Sequence, residues 1–318
     1  MFLGNSLFNS KKFLAHLELT NPVSQRYFYC KSEHRTGTVG TLYLTRLPFH
    51  LGPLSLSSPV TVCGIPMIYG SQTGFAPEEN IAGAAKAFHD GECRGFQWIV
   101  GLRQRGGDIP GWSWKRFLTT VDLNIKWNDF GQYLASMRSD YRKQVAASLK
   151  KGKSAEFIQH AGNEFTDEDY KLFIAVHKAA KDYSEPLLKE FFTLFPDKHH
   201  YIKMKYGDLV LGWALLVPDG KGLYLLYIGY DVSKNHEFDT YVNLLLGAVR
   251  YAIENKYSNL KMGQTAELTK MRLGGTPSER YLLVRHSNRF VNWIISKTDI
   301  FNFRKYYPAL HVFKTREK

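Results

Sequence analysis

Cysteine is scarce. Cys30, Cys63 and Cys93 are the only three in 318 residues, odd in number and too widely spaced for a disulfide framework or a CxxC metal pair. That points to a reducing compartment and a cytoplasmic protein. No apolar run approaches the roughly 18 residues needed to cross a bilayer. Residues 1–17 alternate Phe and Leu with Asn, Ser and Lys and contain no signal-peptide core or cleavage site. The chain has no GxSxG, no GxxxxGKS/T and no HExxH, so the nucleophile elbow, the phosphate-binding P-loop and the zincin helix are all missing. His199 and His200 have no third ligand at metal spacing and read as an exposed loop pair, so no metal is expected. No RRM, KH or zinc-finger pattern is present, which argues against DNA and sequence-specific nucleic-acid recognition.

Acidic residues are also under-represented, 29 against 42 Lys and Arg, for a net charge of +13. Such an excess favours an anionic partner: coenzyme A, an acyl carrier protein, tRNA or, as a peripheral contact, a membrane surface. The cations cluster. Arg138, Tyr141, Arg142, Lys143, Lys150, Lys151 and Lys153 fall in one short tract able to neutralise phosphates. With 44% hydrophobic and 22% charged residues, the chain has the composition of a packed globular protein, and its length suits one large domain or two ordinary ones.

Periodicity divides the chain into two similar halves. Residues 37–49, 58–68, 95–102 and 119–123 read as short strands, with Ala-rich helical spacing over 78–90. Apolar residues at intervals of three and four predict one helix over 129–151, ended at Gly152. Residues 155–160 read as a strand, and Thr166 with Asp169 forms a capping-box pattern at the start of a helix. Strands 201–206 and 209–217 join at Gly207-Asp208. Residues 223–230 form a near-continuous apolar run, as in a strand buried on both faces. A helix over 238–256, a strand over 259–262, a short helix over 268–273 and strands at 281–284 and 311–313 complete the pattern. Each half carries a Gly, Gln, Thr element, at Gly70-Ser71-Gln72-Thr73 and Gly263-Gln264-Thr265. The fold expected is α/β with mixed sheets in two tandem domains, divided as 1–160 and 161–318.

In the second half the order strand, strand, long strand, helix, strand, helix places a strand over 223–231 that must splay from the strand near Asn259. The wedge so formed lets a backbone N–H meet an acyl carbonyl as charge develops on it. Tyr227 and Tyr230 lie on that strand, where a phenol can act as a general acid. Asp231, His236 and Glu237 lie at its C-terminal edge and can accept a proton from an attacking ammonium. Gly263 and Gln264 line the next strand's end, while Lys270 and Arg272 can reach a donor phosphate, as can Arg138, Tyr141, Arg142 and Lys143.

The segment MGQTAELTKMRLGG (262–275) resembles the FemAB-like and CelD/BcsL-like acyltransferases, in which a strand ends at Gly-Gln-Thr and a Lys-x-x-Leu-Gly helix follows. FGQYLASMRSDYRKQVAASLKK (130–151) is similar to the basic tract of the same proteins. The resemblance covers about residues 125–290. It implies tandem GNAT domains that transfer an acyl or aminoacyl group from a thioester or ester carrier to a primary amine on a small molecule or lipid. The donor would be a co-substrate (acyl-CoA, acyl carrier protein or aminoacyl-tRNA), with no tightly bound cofactor. One departure is specific. Residues 233–240 (SKNHEFDT) contain no glycine where acetyl-CoA enzymes let backbone amides approach the pyrophosphate, and Glu237 and Asp239 would repel it, which favours a carrier protein or tRNA.

Two rival readings stand beside this one. Tyr69, Gly70, Ser71, Gln72, Thr73 and Gly74 resemble the FMN-phosphate loop of flavodoxin-like domains, between a strand and a helix. Against it, that loop should open the domain, whereas more than fifty strand-like residues precede it. The second rival is a GNAT-like module that binds its ligand without turnover.

Overall fold

The computed structural model describes residues 7–31, 37–51, 54–66, 73–161, 164–180, 186–303 and 307–314. The chain begins with α1 (Lys11–Thr20), β1 (Gln25–Cys30), β2 (Thr38–Leu51), β3 (Leu54–Cys63), β4 (Phe75–Ala76), α2 (Ile81–Asp90), β5 (Phe96–Leu102) and β6 (Ser113–Arg116). It continues through β7 (Thr120–Asn124), α3 (Phe130–Ser136), α4 (Ser139–Lys151), β8 (Glu156–Ala161), α5 (Asp167–Ala179) and α6 (Lys189–Thr193). Then come β9 (His200–Tyr206), β10 (Leu209–Asp219), β11 (Gly222–Tyr230), α7 (Asn235–Phe238), α8 (Thr240–Glu254), β12 (Asn259–Lys261), α9 (Glu267–Arg272) and β13 (Thr276–Ser278). β14 (Tyr281–His286) and α10 (Arg289–Lys297) end the regular structure.

Two compact units result, each holding one mixed sheet. The first comprises residues 1–119, 183–191 and 279–305; the second comprises 120–182, 192–278 and 306–318. Strand order in the first unit is β1-β2-β3-β5-β14-β6, with β4 on β2; in the second it is β13-β7-β12-β11-β10-β9-β8. Each sheet has one parallel pair, β3 with β5 and β11 with β12, and a helical crossover spans each pair. This is the expected α/β architecture, with one mixed sheet in each unit. The single cut at residue 160 is corrected, because the units interleave. β7 lies between β12 and β13, and β8 pairs with β9, so residues 120–161 belong with the second sheet. β14, far along the chain, pairs with β5 and β6 in the first.

Long-range pairing also breaks the helix expected over 129–151. Met137 and Arg138 are extended (ψ 147° and 153°). Met137 bridges Phe313, the Arg138 N–H donates to the Val312 carbonyl (2.9 Å), and the Lys314 N–H donates to that of Ser136. The residues expected to add a closing strand, 311–313, make this isolated bridge instead. Gly152 caps α4 as expected, but at φ −79°. Its small size serves a close approach: a Cβ there would lie 2.7 Å from Asn243 Nδ2. The helix expected over 238–256 is α8, which begins at Thr240; Asp239, left-handed at φ 50°, separates it from the short α7 that precedes it.

In the second unit the sheet is covered on both faces. Leu244, Leu245, Ala248, Val249 and Ala252 of α8 pack on Leu211, Leu216, Leu223 and Leu225. The opposite face is aromatic: Trp213 meets Phe165, Phe192 and Tyr201 at centroid distances of 5.0, 5.5 and 5.8 Å. α5 opens with the capping box predicted at Thr166 and Asp169. His199, expected in an exposed loop, is buried between Phe195 and Tyr201, whereas His200 turns to Tyr251. Among the described residues no cluster of His, Cys, Asp and Glu is suited to a metal ion, and no helix is long and apolar enough to cross a membrane.

Candidate functional site

β11 and β12 are paired only from Gly222–Asn259 to Tyr224–Lys261. Beyond that point the chain after β12 follows β7: the Met262 N–H donates to the Val121 carbonyl (2.8 Å) and the Val121 N–H to that of Gly263 (3.0 Å). β11 runs on to Tyr230 with β10 alone. Residues 225–230 therefore have no strand partner on their outer edge among the described residues, which is the wedge the sequence reading required. Lys261 closes its apex, with Nζ 4.0 Å from the Tyr224 ring centroid and 2.7 Å from its hydroxyl. The first unit has no counterpart among its described residues, because β3 ends at Cys63, its last residue paired with β5.

A register slip within β11 determines which side chains face which helix. Leu215 pairs with Tyr227 and Leu216 with Leu225, leaving Leu226 without a partner on β10. Such a bulge reverses the inside–outside alternation of all later residues. Leu223 and Leu225 lie on the α8 face, and so do Ile228 and Tyr230. Tyr227 crosses to the other face, against Phe173 of α5 (5.9 Å, 90°) and Phe192 (5.7 Å, 82°). Gly229 is on that face too, where a Cβ would lie 2.6 Å from the Trp213 indole. The phenols of Tyr227 and Tyr230, paired in the sequence reading, are thus on opposite faces of the sheet.

Tyr230 is half-buried with its ring 5.8 Å from that of Tyr241 on α8. Burial raises its pKa, and burial together with Tyr230 and Glu267 raises that of Tyr241, so both phenols hold their protons at neutral pH. The loop joining β12 to α9 completes this neighbourhood. Gly263, Thr265 and Ala266 all have positive φ (71°, 62° and 47°), a strained run for residues with a Cβ. Lys270, expected to reach a donor phosphate, is buried at 4% exposure and donates from Nζ to the Gln264 carbonyl (2.6 Å). Burial lowers its pKa to about 8, against the opposing influence of the buried Glu267. Arg272 is exposed.

This lysine gives a pH-dependent prediction. Its folded pKa lies below its unfolded one, so between about 8 and 10.5 the unfolded chain binds the extra proton. Stability then rises with pH across that window, and the cost is fully present below it. Replacing Lys270 by Met removes the term. The stability advantage of the variant over the parent should shrink by roughly 2 kcal/mol between pH 7 and pH 10, as read by chemical denaturation at both values. Parallel profiles for the two proteins would contradict the burial.

The remaining expected site residues lie around the exit of β11. Asp231 Oδ1 accepts from the Ser233 N–H (2.9 Å), the Ser233 hydroxyl (2.6 Å) and the Lys234 N–H (3.3 Å), which commits this carboxylate to a turn. His236 and Glu237 are exposed, and Glu237 pairs with Lys234 at 3.4 Å. α4 is tied to this loop: Lys151 Nζ donates to the His236 carbonyl (2.9 Å) and the Ser148 hydroxyl to Asp239 Oδ2 (2.5 Å). The basic tract and the strand exit are therefore brought together. Arg138, Arg142, Lys143, Lys150 and Lys151 are exposed, while Tyr141 packs against the core. The sequence reading missed Leu226, Tyr241, Asn235 and Glu267. Of these, only Glu267 had a local signal, its i,i+3 spacing to Lys270.

The start of α8 is poorly suited to a phosphate. The Tyr241 N–H in the first turn of α8 is taken by Asn235 Oδ1 (2.9 Å), and the Asp239 carboxylate stands at the same end. The flavodoxin-like loop falls largely on residues 67–72, outside the described residues. The strand before it, β3, is antiparallel to β2, unlike the parallel sheet of a doubly wound FMN domain.

No family model and no curated protein matches the chain by sequence. Solved structures match by fold. FemX aligns over 91% of this chain and 94% of its own, with TM-score 0.52 and 13% identity. L-PGS from Bacillus licheniformis aligns over 93% and 98%, with TM-score 0.49 and 10% identity. A GCN5-related N-acetyltransferase from Kribbella flavida aligns over 77% and 90%, with TM-score 0.36 and 11% identity. Two sheets, each with a helix-spanned parallel pair, together with the FemX alignment over nearly the whole chain, give this protein the two-unit fold of FemX.

Proposed function

We propose that the second unit is an N-acyltransferase in which the acyl carbonyl of an ester- or thioester-linked donor enters the wedge beside residues 225–230 and is attacked by a primary amine. The observation that carries this reading is the open outer edge of β11 with its bulge at Leu226. Backbone N–H groups released from the ladder can stabilise the oxyanion without reorganising. Tyr230, whose phenol keeps its proton, is placed in this reading as the acid that protonates the leaving group. Tyr227 supports the strand from the aromatic face. Gln264 and the strained loop held by Lys270 shape the acceptor side, with Arg272 at the rim.

For the donor we favour a macromolecular polyanion, an aminoacylated RNA, over coenzyme A. At the start of α8 the Tyr241 N–H is taken by Asn235 and the Asp239 carboxylate stands in the way of a phosphate, whereas exposed cations line α4 at helical spacing beside the strand exit. Hydrogen-exchange mass spectrometry of the peptide covering 222–231 tests this. In the free protein residues 225–230 should exchange faster than 222–224, and aminoacyl-tRNA should slow them. Acyl-CoA or an acyl carrier protein slowing them instead would reassign the donor. No protection by any of the three would reject the wedge as an acyl site and favour a module without turnover.

A further inference from the structure

α10 of the first unit presents a face that folding leaves uncovered. Asn288 caps it, accepting from the N–H groups of Phe290 (2.9 Å) and Val291 (3.1 Å). Asn292 anchors it, accepting from the His286 N–H (3.0 Å) and donating to the Gly111 carbonyl (2.9 Å), and Ile295 is buried beneath. On the outside, Phe290 is 68% and Trp293 57% exposed. Their rings stack on each other at 6.1 Å and 21°. Lys297, one turn beyond Trp293, extends the same face. A stacked Phe–Trp pair left in water is costly in a folded chain and marks a contact surface.

Beside this face lies a cavity of about 420 Å³ whose lining includes Trp112, Arg285, His286, Arg289, Trp293 and Ser296. Arg285 is half-buried, and burial lowers its pKa. Its guanidinium meets the His89 ring, 2.5 Å from Nε2. Among the described residues no carboxylate bridges Arg285, Arg289 or Lys297. A guanidinium partly withdrawn from water without a carboxylate is a vacancy for an anion.

We propose that this face docks the protein on an anionic phospholipid surface: Phe290 and Trp293 enter the boundary between headgroups and acyl chains, and Arg285 and Arg289 receive a lipid phosphate in the cavity. Charge complementarity selects this occupant. A twofold contact with a second copy would set Arg289 and Lys297 against their own images, whereas an anionic membrane meets the cations and the aromatic pair at once. The inference does not depend on acyl transfer, and none of its residues lies in the wedge.

The test is co-sedimentation of the full chain with vesicles of phosphatidylcholine alone or mixed equally with phosphatidylserine. Binding is expected to the mixed vesicles and not to phosphatidylcholine, and to weaken as salt rises. The double variant F290S/W293S should lower vesicle partition by about ten-fold or more, and R285Q/R289Q should lower it by about ten-fold. Thermal melting of both should stay close to the parent's, since the aromatic pair is exposed. Because α4 is also basic, the aromatic variant separates docking by α10 from general electrostatic attraction. Four outcomes would overturn the proposal: no binding to mixed vesicles; undiminished binding by F290S/W293S; release by inorganic phosphate at constant ionic strength, which would make the cavity a free-phosphate site; or a dimer in solution that F290S/W293S splits.

Discussion

Replacing Asp169 by Ala is expected to destabilise the protein by about 3–5 kcal/mol in equilibrium denaturation at neutral pH. Asp169 is fully buried, and its Oδ2 accepts from Lys203 Nζ (2.6 Å), the Thr166 N–H (2.8 Å) and the Thr166 hydroxyl (2.9 Å). Lys203 also donates to the Glu164 carbonyl (2.7 Å), and its side chain is only 7% exposed. Truncating the aspartate leaves an ammonium in a low-dielectric interior and removes the side-chain acceptor of the capping box at the same time. Removing both charges avoids the unpaired ion, so D169A/K203M should recover most of the loss. A cost below about 1 kcal/mol for the single variant would mean that water reaches Lys203. The consequence extends to the site. α5 carries Phe173 against Tyr227, so a loosened start of α5 loosens the aromatic face that supports β11.

This ion pair also marks the limit of what local sequence conveys. Thr166 and Asp169 are legible as a capping box because that motif acts over four residues. That the same carboxylate meets a lysine 34 positions away is not, and Lys203 in an alternating strand looks like any solvent-facing residue. Lys270 misleads in the same way: its helix has six residues, too few to show which face is buried. The apolar run of β11, the hairpin at Gly207 and the parallel crossover after it were legible because each depends on local composition and turn chemistry. The break at Met137–Arg138 was not, since the spacing there is helical and the break comes from residues 312–314. Nor was the placement of β7, which pairs with β12 and β13.

The bulge at Leu226 was equally invisible. An apolar strand reads the same with or without a register slip, because both faces are buried and no alternation is broken. Its consequence is large. It puts Tyr230 beside Tyr241 and sends Tyr227 to the aromatic face; their spacing of three already separates the two tyrosines by face, but the bulge decides which face each takes. The wedge itself was anticipated from the order of elements, and the pairing of only three residues between β11 and β12 bears it out.

The central claim is that backbone N–H groups of β11 near this bulge stabilise the acyl oxyanion, and Leu226→Pro addresses it by removing the amide hydrogen at the bulge itself. Proline is tolerated at bulges because no regular ladder bond is lost, and Leu226→Ala supplies a control that keeps the N–H while shortening the side chain. The decisive measurement is single-turnover acyl transfer from the donor that protects 222–231 to a primary amine, for the parent and the two variants, with far-UV circular dichroism and donor affinity measured alongside. The account predicts a rate about 10²–10³ lower for Leu226→Pro, a loss of only a few-fold for Leu226→Ala, and native secondary structure and donor binding in both. Equal transfer rates for Leu226→Pro and the parent would contradict it.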